Sequence, residues 1–560
     1  MWKQNYLLIL LLFLTRDFLS SAQEEKKRPN IVVIMADDVG CGDLPMYFNN
    51  EGLISMPNLK RFSQLGVTFK DAHSTPLCAP SRYSFLSGNY QHRGRKAQGT
   101  WDVLTGHNQF QKHQKSIAEA LRDKAGYNTA TFGKYHIGGQ IPFAEGHSSQ
   151  NSTHKLTHVG YDWTKPFIEG PSDIGFNTSF VTPNGIQDSP YAFIRDGYLP
   201  FDATESKFWT RGEHGQQYGT SKIQRKGEGS QDWDSSAYNM IVVNETEKFI
   251  DQHIESGADN PFFVYAALGA VHGPHSPPDF YIDGTPIAGR YLTEHADMLF
   301  ELDKAVGSIV TMVEERGLSD NTLFIFLSDN GGVRTSNGSS SYGHDSHGPL
   351  RGYKGTVYEG GHRVPLLFRW DNELPAGEER NNLVSITDMY DTICQLVGIT
   401  KPLQSAQDSI SFANHLYSSV NKQGLRKQLG TWVYENGLVT AEALRIKNMK
   451  LVIHHDIQTG KRTTEIFNLR QDISETTNII NDMNKKKARR MIRKLRAHGP
   501  CPNKDHKKNF KLVESLGTQS ANCTFFQEKR KRCDWYIEGE VKCPSACKSR
   551  FSSMCDSVYG

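Results

Sequence analysis

The chain has 560 residues, a formal net charge of +3, and a composition 37% hydrophobic and 22% charged. These values exclude a fibre and a disordered chain, and the charge is too small to call for a nucleic-acid partner. The length accommodates one big domain with an appendage, or up to about four small domains.

At the start, Lys3, the apolar run 6–14 and the small residues Ser20 and Ala22 form the pattern of a signal peptide over residues 1–22. This predicts a protein of the secretory pathway, either secreted to the extracellular space or lysosomal. Neither that run nor any later apolar stretch is long enough for a membrane span. Asn-x-Ser/Thr sequons at Asn151, Asn177, Asn244, Asn337 and Asn522 agree with that route and predict a glycoprotein.

Beyond the leader, short and nearly continuous apolar runs recur at 31–36, 128–132, 262–268, 322–327 and 364–368. Runs bounded by Gly, Pro and Asp read as strands buried on both faces. Between them, 115–124, 236–255 and 294–315 carry apolar residues at helical spacing, with Gly126, Gly257 and Gly317 just past their ends. The alternation predicts an α/β fold, a large and mostly parallel sheet sandwiched by helices, over residues 23–400. From 151 to 229 the chain is rich in Gly, Ser, Pro and aromatic residues with weak periodicity, and is expected to form long loops over the sheet edge. Trp163 and Trp209 there, and Trp233 just beyond, are read as loop packing rather than as platforms for sugar rings.

Around Leu403 the pattern changes. Short strands at 431–434, 451–454 and 465–469 predict a smaller C-terminal α+β subdomain with an antiparallel sheet, residues 401–496. It closes in a basic helix with Lys485, Lys486, Lys487, Arg489, Arg490, Arg493, Lys494 and Arg496, read as a solvated face rather than a seat for an anionic polymer or membrane. Cys501, Cys523, Cys533, Cys543, Cys547 and Cys555 predict a disulfide-rich tail over 497–560. Only Cys41, Cys78 and Cys394 lie upstream, and nine is odd. Conversion of one sulfur would leave an even number.

The polar residues gather at strand ends. The first run ends in Asp37-Asp38, the second in Gly133-Lys134-Tyr135-His136, the third leads to His272, and the fourth ends in Ser328-Asp329-Asn330. In open α/β sheets the ligand crevice lies at the carboxyl ends of strands. Three carboxylates and an amide oxygen are hard ligands that suit calcium or magnesium rather than zinc. Pro80 fits the first turn of a helix closed by Gly88, which would set Cys78 where unpaired backbone N–H groups face an anion, beside Arg82. In a secreted chain such a cysteine is otherwise a disulfide partner or a plain nucleophile.

Cys78-Ala79-Pro80-Ser81-Arg82, followed by Phe85-Leu86-Ser87-Gly88, resembles the signature of type I, arylsulfatase-like sulfatases in the alkaline-phosphatase-like superfamily. In that family the cysteine is oxidised to formylglycine (3-oxoalanine). Asp37-Asp38, Gly133-Lys134-Tyr135-His136-Ile137-Gly138 (with Tyr where the family has Trp), His272-Gly273-Pro274-His275, Ser328-Asp329-Asn330-Gly331-Gly332 and Leu350-Arg351-Gly352-Tyr353-Lys354-Gly355 are similar to later family elements, in the family's order. Glu465-Ile466-Phe467-Asn468-Leu469 resembles its closing strand.

The resemblance implies a sulfuric ester hydrolase. Asp37, Asp38, Asp329 and Asn330, together with the formylglycine at Cys78, would bind one Ca²⁺. A hydrated aldehyde offers two hydroxyls on one carbon: one attacks sulfur and the second later expels sulfate. Arg82, Lys134 and Lys354 would neutralise the sulfuryl oxygens, His136 would be the base for collapse, and His272 with Lys354 would protonate the leaving alcohol. Implied partners are a sulfated small molecule or glycan and a formylglycine-generating enzyme. His275, His344 and His347 have no assigned role. Two competing readings are a formylglycine-dependent phosphodiesterase or phosphonate hydrolase, and a catalytically silent sulfated-glycan-binding protein, which the completeness of the motifs opposes.

Overall fold

A computed structural model describes residues 27–48, 53–96, 100–103, 106–146, 160–200, 206–212, 222–334, 343–418, 426–435 and 437–499, plus three short strands at Asn522–Thr524, Asp534–Ile537 and Glu540–Lys542. The expected leader, the sequons at Asn151 and Asn337, and the disulfide framework of the tail lie outside the described residues, as does the side chain of Asn522. Asn177 and Asn244 are exposed.

Nine strands form the main sheet. In chain order they are β1 (Asn30–Ala36), β2 (Val67–Phe69), β3 (Asn128–Lys134), β4 (Thr178–Thr182), β5 (Ile194–Arg195), β6 (Phe262–Ala267), β7 (Thr322–Ser328), β8 (Leu366–Arg369) and β9 (Glu378–Arg380). Their spatial order is β9-β2-β8-β7-β1-β6-β3-β4-β5. The inner strands β7, β1, β6, β3 and β4 run parallel, while β8 and β5 run against them.

The apolar runs are continuous because both faces of the sheet are covered. Ile31, Val33 and Met35 face one core with Tyr83 and Phe85 of α2 (Cys78–Ser87), Ile117 and Leu121 of α3 (Ile117–Ala125) and Met389 of α6 (Met389–Leu396). Val32, Ile34 and Ala36 face a second core with Leu59 and Phe62 of α1 (Pro57–Gln64), Val242 and Phe249 of α4 (Tyr238–Glu255), and Leu299 and Leu302 of α5 (Glu294–Glu315). Each such aliphatic side chain contributes about 1.5–3 kcal/mol on burial. A capping box between Ser116 and Glu119 starts α3, and left-handed Gly126 ends it.

Two expectations need correction. Residues 151–229 are not loops alone, since β4 and β5 lie within them at the sheet edge. β4 has only Phe180 and Val181 between polar residues and β5 is two residues long, so neither stands out in a search for apolar runs. The smaller antiparallel sheet has four strands, not three: β10 (Gln428–Glu435), β11 (Leu438–Ile446), β12 (Met449–His455) and β13 (Arg462–Asn468). β11 alternates Thr440 and Glu442 with buried Ala441 and Ala443, the pattern of a half-solvated strand, before the buried Arg445 near its end. Trp163, Trp209 and Trp233 are buried, as loop packing requires. The basic helix α7 (Lys485–His498) docks Met491 and Leu495 onto Leu444 and Leu451 and turns most of its cations to solvent.

A buried ionic junction joins the two sheets. Arg445 of β11 grips both carboxylate oxygens of Asp71 at 2.6 and 2.7 Å. Lys450 of β12 lies 2.9 Å from Glu359 and 2.9 Å from Glu475. Glu475 in turn accepts the Glu359 backbone N–H at 2.6 Å.

Candidate active site

Because β7, β1, β6 and β3 are adjacent and parallel, their carboxyl ends fall on one edge of the sheet. That edge receives Asp37 and Asp38 after β1, Asp329 and Asn330 after β7, Lys134 and His136 at the end of β3, and His272 beyond β6. Cys78 is the first residue of α2, opposite that edge, and the helix ends at Gly88 with φ 65°, as expected from Pro80 and Gly88.

The contacts interlock. Arg82 donates to Asp329 Oδ2 from Nε at 3.1 Å and from Nη2 at 2.6 Å, and from Nη1 to the Lys134 carbonyl at 3.1 Å. Lys134 Nζ reaches Asp37 Oδ2 at 2.5 Å, and Lys354 Nζ reaches Asp38 Oδ1 at 2.6 Å. His272 Nε2 stands 3.7 Å from Asp38 Oδ2, and His136 Nδ1 stands 3.4 Å from Cys78 Sγ. Asp37, Cys78 and Asp329 each bring a ligand atom within 4.8 Å of the others. All ten residues singled out from the sequence thus meet in one place.

Only His272 and Lys354 keep appreciable exposure, with side chains 14% and 18% accessible, against 0% for Arg82, Lys134 and Asp37. The mouth of the site therefore lies between His272 and Lys354.

Burial alone would raise the Asp37 carboxyl, but the Lys134 ammonium, His272 and Arg82 hold it far below the ordinary range. Asp38 is also lowered: burial pushes it up, but Lys354, His272 and Lys134 together outweigh that. Asp329 goes the other way, raised to about 7 by burial and the charge of Asp37 despite Arg82. Burial and Lys354 pull His272 down to about 4, and burial with Lys134 and Arg82 holds His136 well below its usual value. Burial raises the Cys78 thiol.

Two buried oxygens, Asp37 Oδ1 and Asn330 Oδ1, have no hydrogen-bond partner within the chain. The Asn330 amide is oriented by donating to Asp38 Oδ1 at 2.8 Å and to the Gly331 carbonyl at 2.9 Å, which leaves its own oxygen unpaired. Orphaned buried acceptors are costly. An oxygen-only donor set with two such atoms fits a hard divalent cation.

Sequence reasoning missed the support beneath the site. Asn239, inside α4, accepts the backbone N–H groups of Gly269 and Ala270 at 2.9 and 3.2 Å, and Ala270 pairs with the backbone of Asp37. Asn239 is the second residue of α4, and nothing in the sequence marks it as an anchor for a distant loop. The three upstream cysteines are all unpaired, and Cys41 and Cys394 are buried thiols that burial pushes up to about 12. The odd count therefore says nothing particular about Cys78.

The Sulfatase family model matches residues 29–399, and the C-terminal model of N-sulphoglucosamine sulphohydrolase matches 352–498. An N-acetylgalactosamine-6-O-sulfatase of Bacteroides thetaiotaomicron is 26% identical over 81% of this chain and 90% of its own length. The N-acetylgalactosamine-6-sulfatase of Mus musculus is 30% identical over 68% of this chain, but the match spans only 65% of the mouse protein. A solved Bacteroides thetaiotaomicron structure from work on glycosaminoglycan metabolism superposes with a TM-score of 0.65 at 24% identity, covering 88% of this chain and 100% of that one.

Proposed function

The chain belongs to the type I sulfatase family of sulfuric ester hydrolases, in the alkaline-phosphatase-like superfamily, and from that premise we propose that it removes sulfate from a sulfated carbohydrate at the cleft around Cys78. The observation that carries this reading is the meeting of Cys78, Asp37 and Asp329 within 4.8 Å, with Arg82, Lys134 and Lys354 paired to the carboxylates.

Asp37, Asp38, Asp329 and Asn330, with residue 78, would hold one calcium ion. When bound, the ion polarises a sulfuryl oxygen and lowers the pKa of the attacking hydroxyl. Position 78, converted to formylglycine, supplies that hydroxyl at a helix N-terminus whose N–H groups favour an anion.

The chain's own groups do the rest. Three carboxylates (Asp37, Asp38, Asp329) face three fixed cations (Arg82, Lys134, Lys354), a formal sum of zero before any metal. A divalent ion makes the pocket positive and ready for an anionic ester. Arg82 is immobilised by Asp329 and the Lys134 carbonyl, so its charge needs no rearrangement to meet the ester. His136 is neutral, and with Nδ1 directed at residue 78 it is the base that takes the second hydroxyl's proton. His272 has Nδ1 against the Gly273 carbonyl at 2.5 Å and its Nε2 edge at the cleft mouth, where with Lys354 it serves the departing alcohol.

Both relatives named above carry N-acetylgalactosamine-6-sulfatase in their names, so a 6-sulfated hexosamine is the first substrate to assay. A signal peptide, glycosylation at Asn177 and Asn244 and a disulfide-bonded tail belong to the same reading. No helix among the described residues is long and apolar enough to cross a membrane.

The deciding experiment joins two measurements on the secreted protein. Mass spectrometry of the peptide containing position 78 should find aldehyde in place of thiol. A panel of sulfated glycans should be desulfated in preference to matching phosphodiesters. An unmodified thiol with glycan binding intact would favour the silent-binder reading. A preference for phosphodiesters above about a hundredfold, about 2.7 kcal/mol of transition-state binding, would overturn the assignment.

A further inference from the structure

Three side chains from distant segments converge beside the catalytic cleft and take no part in it. Asp43 lies in the single turn Cys41–Asp43, His295 is the second residue of α5, and His344 stands in the loop at 343–348. They are 3%, 3% and 2% exposed, and their ligand atoms all lie within 4.8 Å of one another. Asp43 Oδ1 is 2.8 Å from His344 Nε2 and 4.0 Å from His295 Nε2, while Asp43 Oδ2 accepts the Gly40 N–H at 2.8 Å.

The second observation is at His295 itself. Neither of its ring nitrogens has a hydrogen-bond partner, although the residue is buried at the centre of the cluster. A buried imidazole with two orphaned nitrogens forfeits hydrogen bonds it would make to water, and folded proteins rarely leave such a group without a compensating ligand. Burial drives His295 down to about 4, so the ring is neutral and offers a lone pair. The ring of His275 is edge-on to it, with centroids 5.2 Å apart, as a further imidazole beside the set.

The donor chemistry differs from that of the cleft. One carboxylate oxygen and two imidazole nitrogens suit zinc and its neighbours, whereas the oxygen-only set around Asp37 suits calcium. We propose that Asp43, His295 and His344 form a second, structural metal site for a divalent ion of the zinc class. On binding, the ring proton of His344 sits on Nδ1, so that Nε2 and Asp43 Oδ1 both turn lone pairs to the ion.

Such an ion would tie together the chain just after Asp37-Asp38, the loop that leads to Lys354, and the start of α5. The first two already touch closely. Gly42 donates to the Ser346 carbonyl at 2.9 Å, and a side chain at Gly42 would meet the Asp345 carbonyl oxygen at 2.0 Å.

The test uses the full chain, stripped of metal and reloaded with excess Ca²⁺ so that the oxygen site is filled. Zinc is then added and the protein desalted. Wild type should retain one equivalent of zinc and melt at a higher temperature. With Co²⁺ it should show the intense visible bands of a nitrogen-containing site. His295→Gln should lose both zinc and its stabilising effect, its affinity falling at least about a hundredfold, while still responding to Ca²⁺. His344→Gln is the second variant should the first not fold. Wild type that retains no zinc over calcium, or zinc held equally by wild type and either variant, overturns the proposal.

Discussion

Arg82 places two of its nitrogens on a single oxygen of Asp329, Nε at 3.1 Å and Nη2 at 2.6 Å, with both side chains fully buried. A fork aimed at one oxygen fixes the guanidinium plane and leaves Asp329 Oδ1 to receive the Asp38 N–H at 3.2 Å. Lysine would keep the charge but lose the plane and the contact to the Lys134 carbonyl. Arg82→Lys should lower kcat/KM by about a hundredfold or more with most of the loss in kcat. Steady-state kinetics on an aryl sulfate decide it. A change confined to KM would mean that Arg82 only helps to bind.

Cys78→Ser keeps a small polar side chain at the start of α2 but removes the thiol from which the aldehyde is made. Turnover should fall to background, while calorimetric affinity for a sulfated glycan stays within about threefold of wild type, about 0.7 kcal/mol. Multiple turnovers by the serine form would remove the need for a second hydroxyl.

The orphaned oxygens of Asp37 and Asn330 predict calcium-linked stability. At a calcium concentration of about 100 times Kd the folded state should gain about 2.7 kcal/mol. Asn330→Ala should shrink the calcium-dependent rise in Tm and weaken calcium binding. A Tm indifferent to chelator in wild type would remove the ion from this site.

Lys450, 1% exposed, serves both Glu359 and Glu475 at the junction of the two sheets. Lys450→Met strands two buried carboxylates near one another and should cost about 3–5 kcal/mol. Urea unfolding measures this directly, and a loss below about 1 kcal/mol would mean that Arg363, 2.8 Å from Glu359, and Arg445, 3.6 Å from it, carry the junction without it.

Glu301, fully buried on α5, receives only the Asn239 amide, at 3.0 Å, and burial raises its carboxyl from the usual 4.5 to about 8. The fold prefers the neutral acid. Its stabilising contribution is complete below 4.5 and is lost as pH rises towards 8, by at most about 1.4 kcal/mol per pH unit. Glu301→Gln should therefore match wild type near pH 4.5 and be the more stable protein near pH 8. A pH-independent difference between the two would contradict the sign.

The sequence by itself determined the strands β7, β1, β6 and β3, the principal helices and the residues that meet at the candidate site. Parallel strands covered on both faces read as unbroken apolar runs, and the residues that close such runs must stand at the sheet's carboxyl edge. Cys78 was legible for a local reason too, since Pro80 and Gly88 delimit its helix whatever the chain does elsewhere. The strand Thr178–Thr182 was not legible, because it is short and its polar Thr178, Ser179 and Thr182 leave no continuous apolar run. Tertiary structure alone decided that β7, β1, β6 and β3 are neighbours, that Asn239 holds the backbone beside Asp37, and that Lys450 meets Glu359. It also decided that Asp43 meets His344 across 301 residues of chain. No local pattern encodes such contacts. They arise only when the packing of the whole sheet brings separate segments to one place.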